Sequence, residues 1–133
     1  FQPELETMSA ADRRALQSER LVSTVKYVYE RQKPYREKMD AIKLRPSDIK
    51  GIEDIWKLPY TQKSDLRNSY PFGMMAATRK ERVRLHASSA TTGKLTVSGY
   101  TKHDIDVSAD CAARSLVMAG ADEESIVHVC YGY

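Results

Sequence analysis

A chain of 133 residues, 41% apolar and 29% charged, is long enough for one domain with a core and too apolar for a disordered tail. Its 21 basic and 18 acidic residues leave a net +3, with no Lys/Arg block and no interleaved aromatic residues of the kind that grip nucleic acid. No apolar run approaches the roughly 20 residues of a membrane helix, and the opening FQPELETMSAADRR is too acidic for a secretory signal, so a cytoplasmic protein that binds neither nucleic acid nor membrane is expected.

In chain order, Ser9 and Asp12 form a capping-box-like helix start. Leu21, Val25 and Val28 then recur at helical spacing, with Arg13, Arg14, Glu19, Arg20 and Lys26 on other faces, so a long amphipathic helix ends before Pro34. A second helix carries Tyr35, Met39 and Ile42 on one stripe and is closed by Pro46. In GIEDIWKLPYTQKSDLRNSYPFG, the residues Ile52, Ile55 and Trp56 read as a short helical turn packed into the core. Thr61 reads as the cap of a further short helix through Leu66, and Pro71-Phe72-Gly73 as a turn.

The period then changes. Val83, Leu85 and Ala87 alternate with Arg84 and His86, which predicts a half-buried strand, and Leu95 to Tyr100 is β-prone again. Thr101 and Asp104 form a second capping box, opening a helix with Ile105, Ala109, Ala112 and Leu116 at helical spacing and Gly120 at its C-terminal cap. Ser125 to Tyr133, SIVHVCYGY, reads as a buried strand with no element after it to cover it, which suggests a piece of a larger protein. Cys111 and Cys130 read as packing thiols, and the three scattered histidines, His86, His103 and His128, define no metal site. The fold class expected is α/β. Residues 1–82 form a helical region, and 83–133 begin an α/β core: the start of a mixed β-sheet with packed helices.

Between the two strands lies Ser88-Ser89-Ala90-Thr91-Thr92-Gly93-Lys94. Small hydroxylated residues beside a glycine bind phosphate when successive backbone N–H groups converge on one point, and a lysine adds charge. The Walker A pattern G-x-x-x-x-G-K-[ST] fails here, since Ser88 stands where its first glycine should be and Leu95 where Ser or Thr should follow the lysine. A Walker loop also opens a helix, whereas this loop joins strands. On composition alone, a solvated turn whose Ser and Thr bond their own backbone is an equal reading.

The wider stretch RLHASSATTGKLTVSGYTKHDID resembles the phosphate-loop region of the phenylacetate–coenzyme A ligases, members of the adenylate-forming superfamily. LPYTQKSDLRNSYPFGMMA, RLVSTVKYVYERQKPYREK and IVHVCYGY resemble further stretches of that family, so the likeness covers nearly the whole chain. It implies part of the large N-terminal domain of such an enzyme, with the C-terminal lid domain absent. It implies ATP, Mg2+ and coenzyme A as co-substrates and an aryl carboxylic acid, phenylacetate first, as substrate. By the same likeness Ser88, Ser89, Ala90, Thr91, Thr92, Gly93, Lys94 and Thr96, within a loop spanning 88–96, hold the ATP phosphates, and Tyr131, Gly132 and Tyr133 begin the acid pocket. No catalytic residue is assigned, and His86 is read as a structural strand histidine. Arg79 to Arg84, RKERVR, reads as a solvated rim able to steer an anion toward the loop. Tyr27, Tyr29 and Tyr35 read as packing residues, with a subunit contact in a homodimer the other role open to them. The 133 residues alone are expected to be inactive.

Three other readings stand beside this one: an enzyme for another aromatic acid such as indoleacetate, an adenylating enzyme that does not use coenzyme A, and a noncatalytic relic or interaction domain. The last draws on two departures from the family pattern, Ala90 for glycine and Leu95 for proline. If position 90 needs a left-handed backbone, alanine costs about 1 kcal/mol or more there, and without proline the loop's exit is freer. Ala90→Gly in the whole protein is therefore expected to lower the KM for ATP; an unchanged KM together with an unchanged kcat would overturn this.

Overall fold

The computed structural model describes residues 2–88 and 95–130. Its spine is α2 (Ala10–Arg31), preceded by the short α1 (Pro3–Glu6) and followed by α3 (Lys33–Ala41). Ser9 caps α2 as its sequence predicts, its side chain accepting the Asp12 N–H at 3.1 Å. Gln32 breaks the helix with an extended backbone, and Pro34 falls in the first turn of α3, where a missing N–H costs nothing.

α3 folds back on α2, and two 3-10 turns, Pro46–Asp48 and Ile52–Lys57, return to the same helix. Between them Val25, Met39, Leu44 and Ile49 are buried, ringed by Leu21, Val22, Tyr29, Tyr35 and Leu58. Met39 and Ile49 are the most deeply enclosed, and the stripes meet through Val25, Tyr35 and Met39; Ile42, expected on the second stripe, lies past the end of α3 and is 55% exposed, its place taken by Leu44 and Ile49.

The second 3-10 turn departs from expectation. Trp56 is 76% exposed and Ile55 52% exposed, so neither belongs to the core. The turn meets α2 at its start, where the Ile52 N–H donates to Ser18 Oγ at 3.1 Å, and the side chains beyond that contact face solvent. The Lys57 ammonium lies 5.9 Å from the Trp56 ring, a partly wet setting that an indole accepts. The next helix, α4 (Lys63–Asn68), starts one residue later than expected. Its cap is Gln62, whose N–H donates to Asp65 Oδ2 at 2.7 Å, and Thr61 plays no part.

The strands β1 (Arg82–Ser88) and β2 (Thr96–Thr101) pair antiparallel, with a bulge between Arg82 and Arg84. Every β1 residue after Arg82 is exposed, more than the expected half-burial, because no described layer covers this pair on the β1 side. α5 (Lys102–Met118) follows at once. Thr101 Oγ1 accepts the Asp104 N–H at 3.2 Å while Asp104 accepts the Thr101 N–H at 2.7 Å, the reciprocal cap the sequence announces. Gly120, at φ +94°, supplies the left-handed residue just past the helix end. Residues 125–130 form neither helix nor strand, and Ile126 is 99% exposed. A strand exists through its partner, and none stands beside this segment among the described residues. Cys130 and Cys111 are accordingly exposed, not the packing thiols expected.

The helical region and the hairpin with α5 are joined by polar ties. Arg31 Nη1 donates to both Glu81 carboxylate oxygens, at 3.0 and 3.1 Å, and Glu81 also accepts the Thr78 N–H at 2.7 Å. Gln32 Nε2 donates to the Met74 carbonyl at 2.5 Å. On the other flank, Gln2 Nε2 donates to Asp110 at 2.7 Å and Arg114 Nε to Glu6 at 3.0 Å.

Two predictions follow from this packing. Met39→Ala leaves a hole in the one buried cluster and is expected to cost about 2–5 kcal/mol, read as a lower denaturation midpoint of the whole protein; a shift of a few tenths would contradict the central place of Met39. The Thr78 N–H and then Arg31 hold the Glu81 carboxyl down to about 2 from its ordinary 4.5. Its contribution is thus complete above pH 4.5 and is lost as pH falls toward about 2. In Glu81→Gln that part of the acid dependence of Tm should vanish, and an identical Tm–pH curve would refute the tie.

Candidate functional site: the hairpin and its cleft

Strand pairing brings the two ends of the hydroxyl-rich loop together, because Ser88 and Thr96 are direct cross-strand partners. Ser88 closes β1 and Thr96 opens β2, so the loop spans an antiparallel hairpin, a setting unlike that of a Walker loop. Ser89 through Lys94, and Tyr131 through Tyr133, lie outside the described residues. Of the residues expected to hold phosphate, the structure places Ser88 and Thr96, side by side.

Side chains directly opposite one another share a face of the sheet. Arg84 opposite Tyr100, His86 opposite Ser98, and Ser88 opposite Thr96 therefore make one polar face that runs to the loop. The rings of His86 and Tyr100 lie 4.8 Å apart, tilted by 52°, which gives His86 the structural role its strand position suggests. The other face pairs Leu85 with Gly99 and Ala87 with Val97. A side chain at Gly99 would come within 2.9 Å of both Arg82 Cδ and Met75 Sδ, so glycine lets the segment before β1 lie close against β2.

β2 forms one wall of a cleft of about 690 Å³ that faces Thr24 and Tyr27 of α2. Its lining includes Thr96, Ser98, His103 and Asp104, together with Met74 and Met75. The Thr101 N–H and then the Thr101 hydroxyl hold the Asp104 carboxyl below the usual carboxylate range. With Oδ2 accepting both the N–H and the hydroxyl of Thr101, Asp104 is held as an anion of the helix cap. No group of three His, Cys, Asp or Glu among the described residues can hold a metal ion. What the described part of the site offers is hydroxyl donors at the root of the loop, backed by a polar strand face.

Thr24, Tyr27, Met74 and His103 were not singled out for the site by the sequence, because their convergence depends on α2 lying across from β2. The one local signal was the capping box at Thr101, which fixes where α5 begins and hence where His103 stands.

No protein-family model matches the chain. Against curated proteins it is 51% identical to the phenylacetate-coenzyme A ligase of Thermus thermophilus over 133 residues, all of this chain and 30% of that protein. It is 47% identical to the phenylacetate-coenzyme A ligase of Escherichia coli over 129 residues, 97% of this chain and 30% of that protein. Among solved structures, 2-hydroxyisobutyryl-CoA ligase in an open conformation, in complex with 2-HIB-AMP and CoA, superposes with a TM-score of 0.80 at 31% identity. That match covers 90% of this chain and 28% of the ligase chain. The same ligase in its thioesterification state gives a TM-score of 0.77 at 32% identity, over 84% of this chain and 25% of that one. The chain spans about 30% of the length of the curated relatives it matches. With 46–51% identity over at least 97% of its length, and a like superposition on a solved CoA ligase, the chain resembles the N-terminal portion of the phenylacetate–coenzyme A ligases.

Proposed function

We propose that the protein carrying this chain joins an aryl carboxylic acid, phenylacetate first, to coenzyme A at the expense of ATP. The observation that carries this reading is the 46–51% identity to four phenylacetate-coenzyme A ligases across at least 97% of the chain. In the first step the acid's carboxylate attacks the α-phosphorus of ATP, forming an acyl-adenylate and expelling pyrophosphate. In the second, the coenzyme A thiolate attacks the acyl carbon and AMP leaves with the C–O bond electrons, giving the thioester.

A carboxylate is a weak nucleophile and pyrophosphate leaves carrying charge, so donors fixed around the β- and γ-phosphates lower the barrier of the first step. Ser88, Ser89, Ala90, Thr91, Thr92, Gly93, Lys94 and Thr96 supply that cradle. The strand pairing of Ser88 with Thr96 supports this assignment, because it closes the loop at its root. Tyr131, Gly132 and Tyr133 contribute to the acid pocket. Magnesium enters with ATP as its counter-ion, and the described residues offer it no cage of their own. The enzyme acts in the cytoplasm, a reading in keeping with two free cysteines.

The replacement of glycine by Ala90 favours one rival, a relic that kept the loop and lost the chemistry. Both are tested by supplying the purified whole protein with ATP, coenzyme A and either phenylacetate or indoleacetate. AMP and phenylacetyl-CoA are expected in equal amounts, with indoleacetate slower. Faster turnover of indoleacetate would reassign the substrate, and absence of AMP with either acid would favour the relic.

A further inference from the structure

The run Arg79-Lys80-Glu81-Arg82-Val83-Arg84 leads into β1 with four cations and one acid. Glu81 does not neutralise its neighbours, because Arg31 and the Thr78 N–H already engage its carboxylate. Arg82 is held in place, its Nε donating to the Thr78 carbonyl at 3.2 Å and its guanidinium 4.8 Å from the Phe72 ring centroid. The side chains of Arg79 and Arg84 form no ion pair among the described residues. Arg79, Arg82 and Arg84, with Phe72, Val83 and Leu85, line one groove of about 350 Å³.

That combination has a definite chemistry. Guanidinium groups give phosphate oxygens paired, charge-assisted hydrogen bonds. An apolar wall with an aromatic ring and a stacked arginine accepts a flat heterocycle. A groove of this size is of the order that small ligands occupy. The ligand that fits is a nucleotide carrying phosphate.

We propose that this groove binds the 3′-phosphoadenosine diphosphate end of coenzyme A, an assignment that rests on the ligase reading above. The groove follows the first half of β1, lined as far as Leu85, and the strand ends at Ser88, about 10 Å further on. The extended pantetheine arm of coenzyme A covers that distance and carries its thiol toward the loop end of the hairpin.

The test uses the whole protein and compares coenzyme A with dephospho-coenzyme A, which lacks the 3′-phosphate. Loss of a charged hydrogen-bond pair predicts a rise of about tenfold in the KM for coenzyme A in Arg84→Ala and in Arg79→Ala. Arg84→Lys should recover part of it, and dephospho-coenzyme A should show no such rise. An unchanged KM for coenzyme A in the double alanine variant overturns the proposal, as does an equal rise with dephospho-coenzyme A or a rise confined to ATP. Titration with adenosine 3′,5′-bisphosphate reads the groove without catalysis. Binding to the wild type that weakens in the variants supports the groove even where no thioester forms, a result that would sink the ligase reading alone. Thioester formation with no competition from the bisphosphate would sink the groove alone.

Discussion

The burial of Met39 against α2 is the constraint on which the rest of the helical region depends. Met39 has no exposed surface, and around it Val25, Leu44 and Ile49 come from three separate segments. Each such side chain contributes about 1.5–3 kcal/mol by leaving water, whereas an exposed ion pair contributes about 0–1 kcal/mol. The difference sorts the molecule into two parts. The helical region is fastened by apolar burial, while the hairpin and α5 are tied to it through Arg31, Gln32, Gln2 and Arg114. Ties of that kind set direction more than they add stability, and they fix how β2 faces α2 across the cleft.

How much of this was legible in the sequence varied with the range of the forces involved. Features set by neighbours in the chain were readable: the Ser9 and Thr101 caps, the helix break at Gln32 before Pro34, and the left-handed Gly120. Misreadings fell where a residue's surroundings come from far along the chain. Trp56 looks like core by composition, yet the Ile52 N–H bond to Ser18 fixes the turn so that the indole faces out. Ile126 to Val129 has a strand's composition, but strand character requires an edge to pair with. The same limit applies to the site. The loop stood out by its hydroxyls and glycine, and Ser88 and Thr96 are joined as the hairpin requires. The cleft beside it, by contrast, assembles residues some 70 positions apart, which no local pattern records.

Charge is distributed with similar economy. In the segment before β1, Glu81 satisfies Arg31 and the Thr78 amide at once, and in doing so leaves Arg79 and Arg84 without a competing acid. At the same end of the hairpin, where β2 runs into α5, Asp104 is consumed by the helix cap. Each acid close to the hairpin is thus engaged by a structural bond, and the groups left free beside it are donors and cations. An anion meets little repulsion along this strand.

The pairing of Ser88 with Thr96 has an entropic consequence. Bringing the ends of a flexible segment together is a large part of the cost of ordering it. The hairpin meets that cost when the protein folds. Whatever meets the hairpin at Ser88 and Thr96 finds these two residues already held side by side, and that part of the ordering cost does not fall on the encounter.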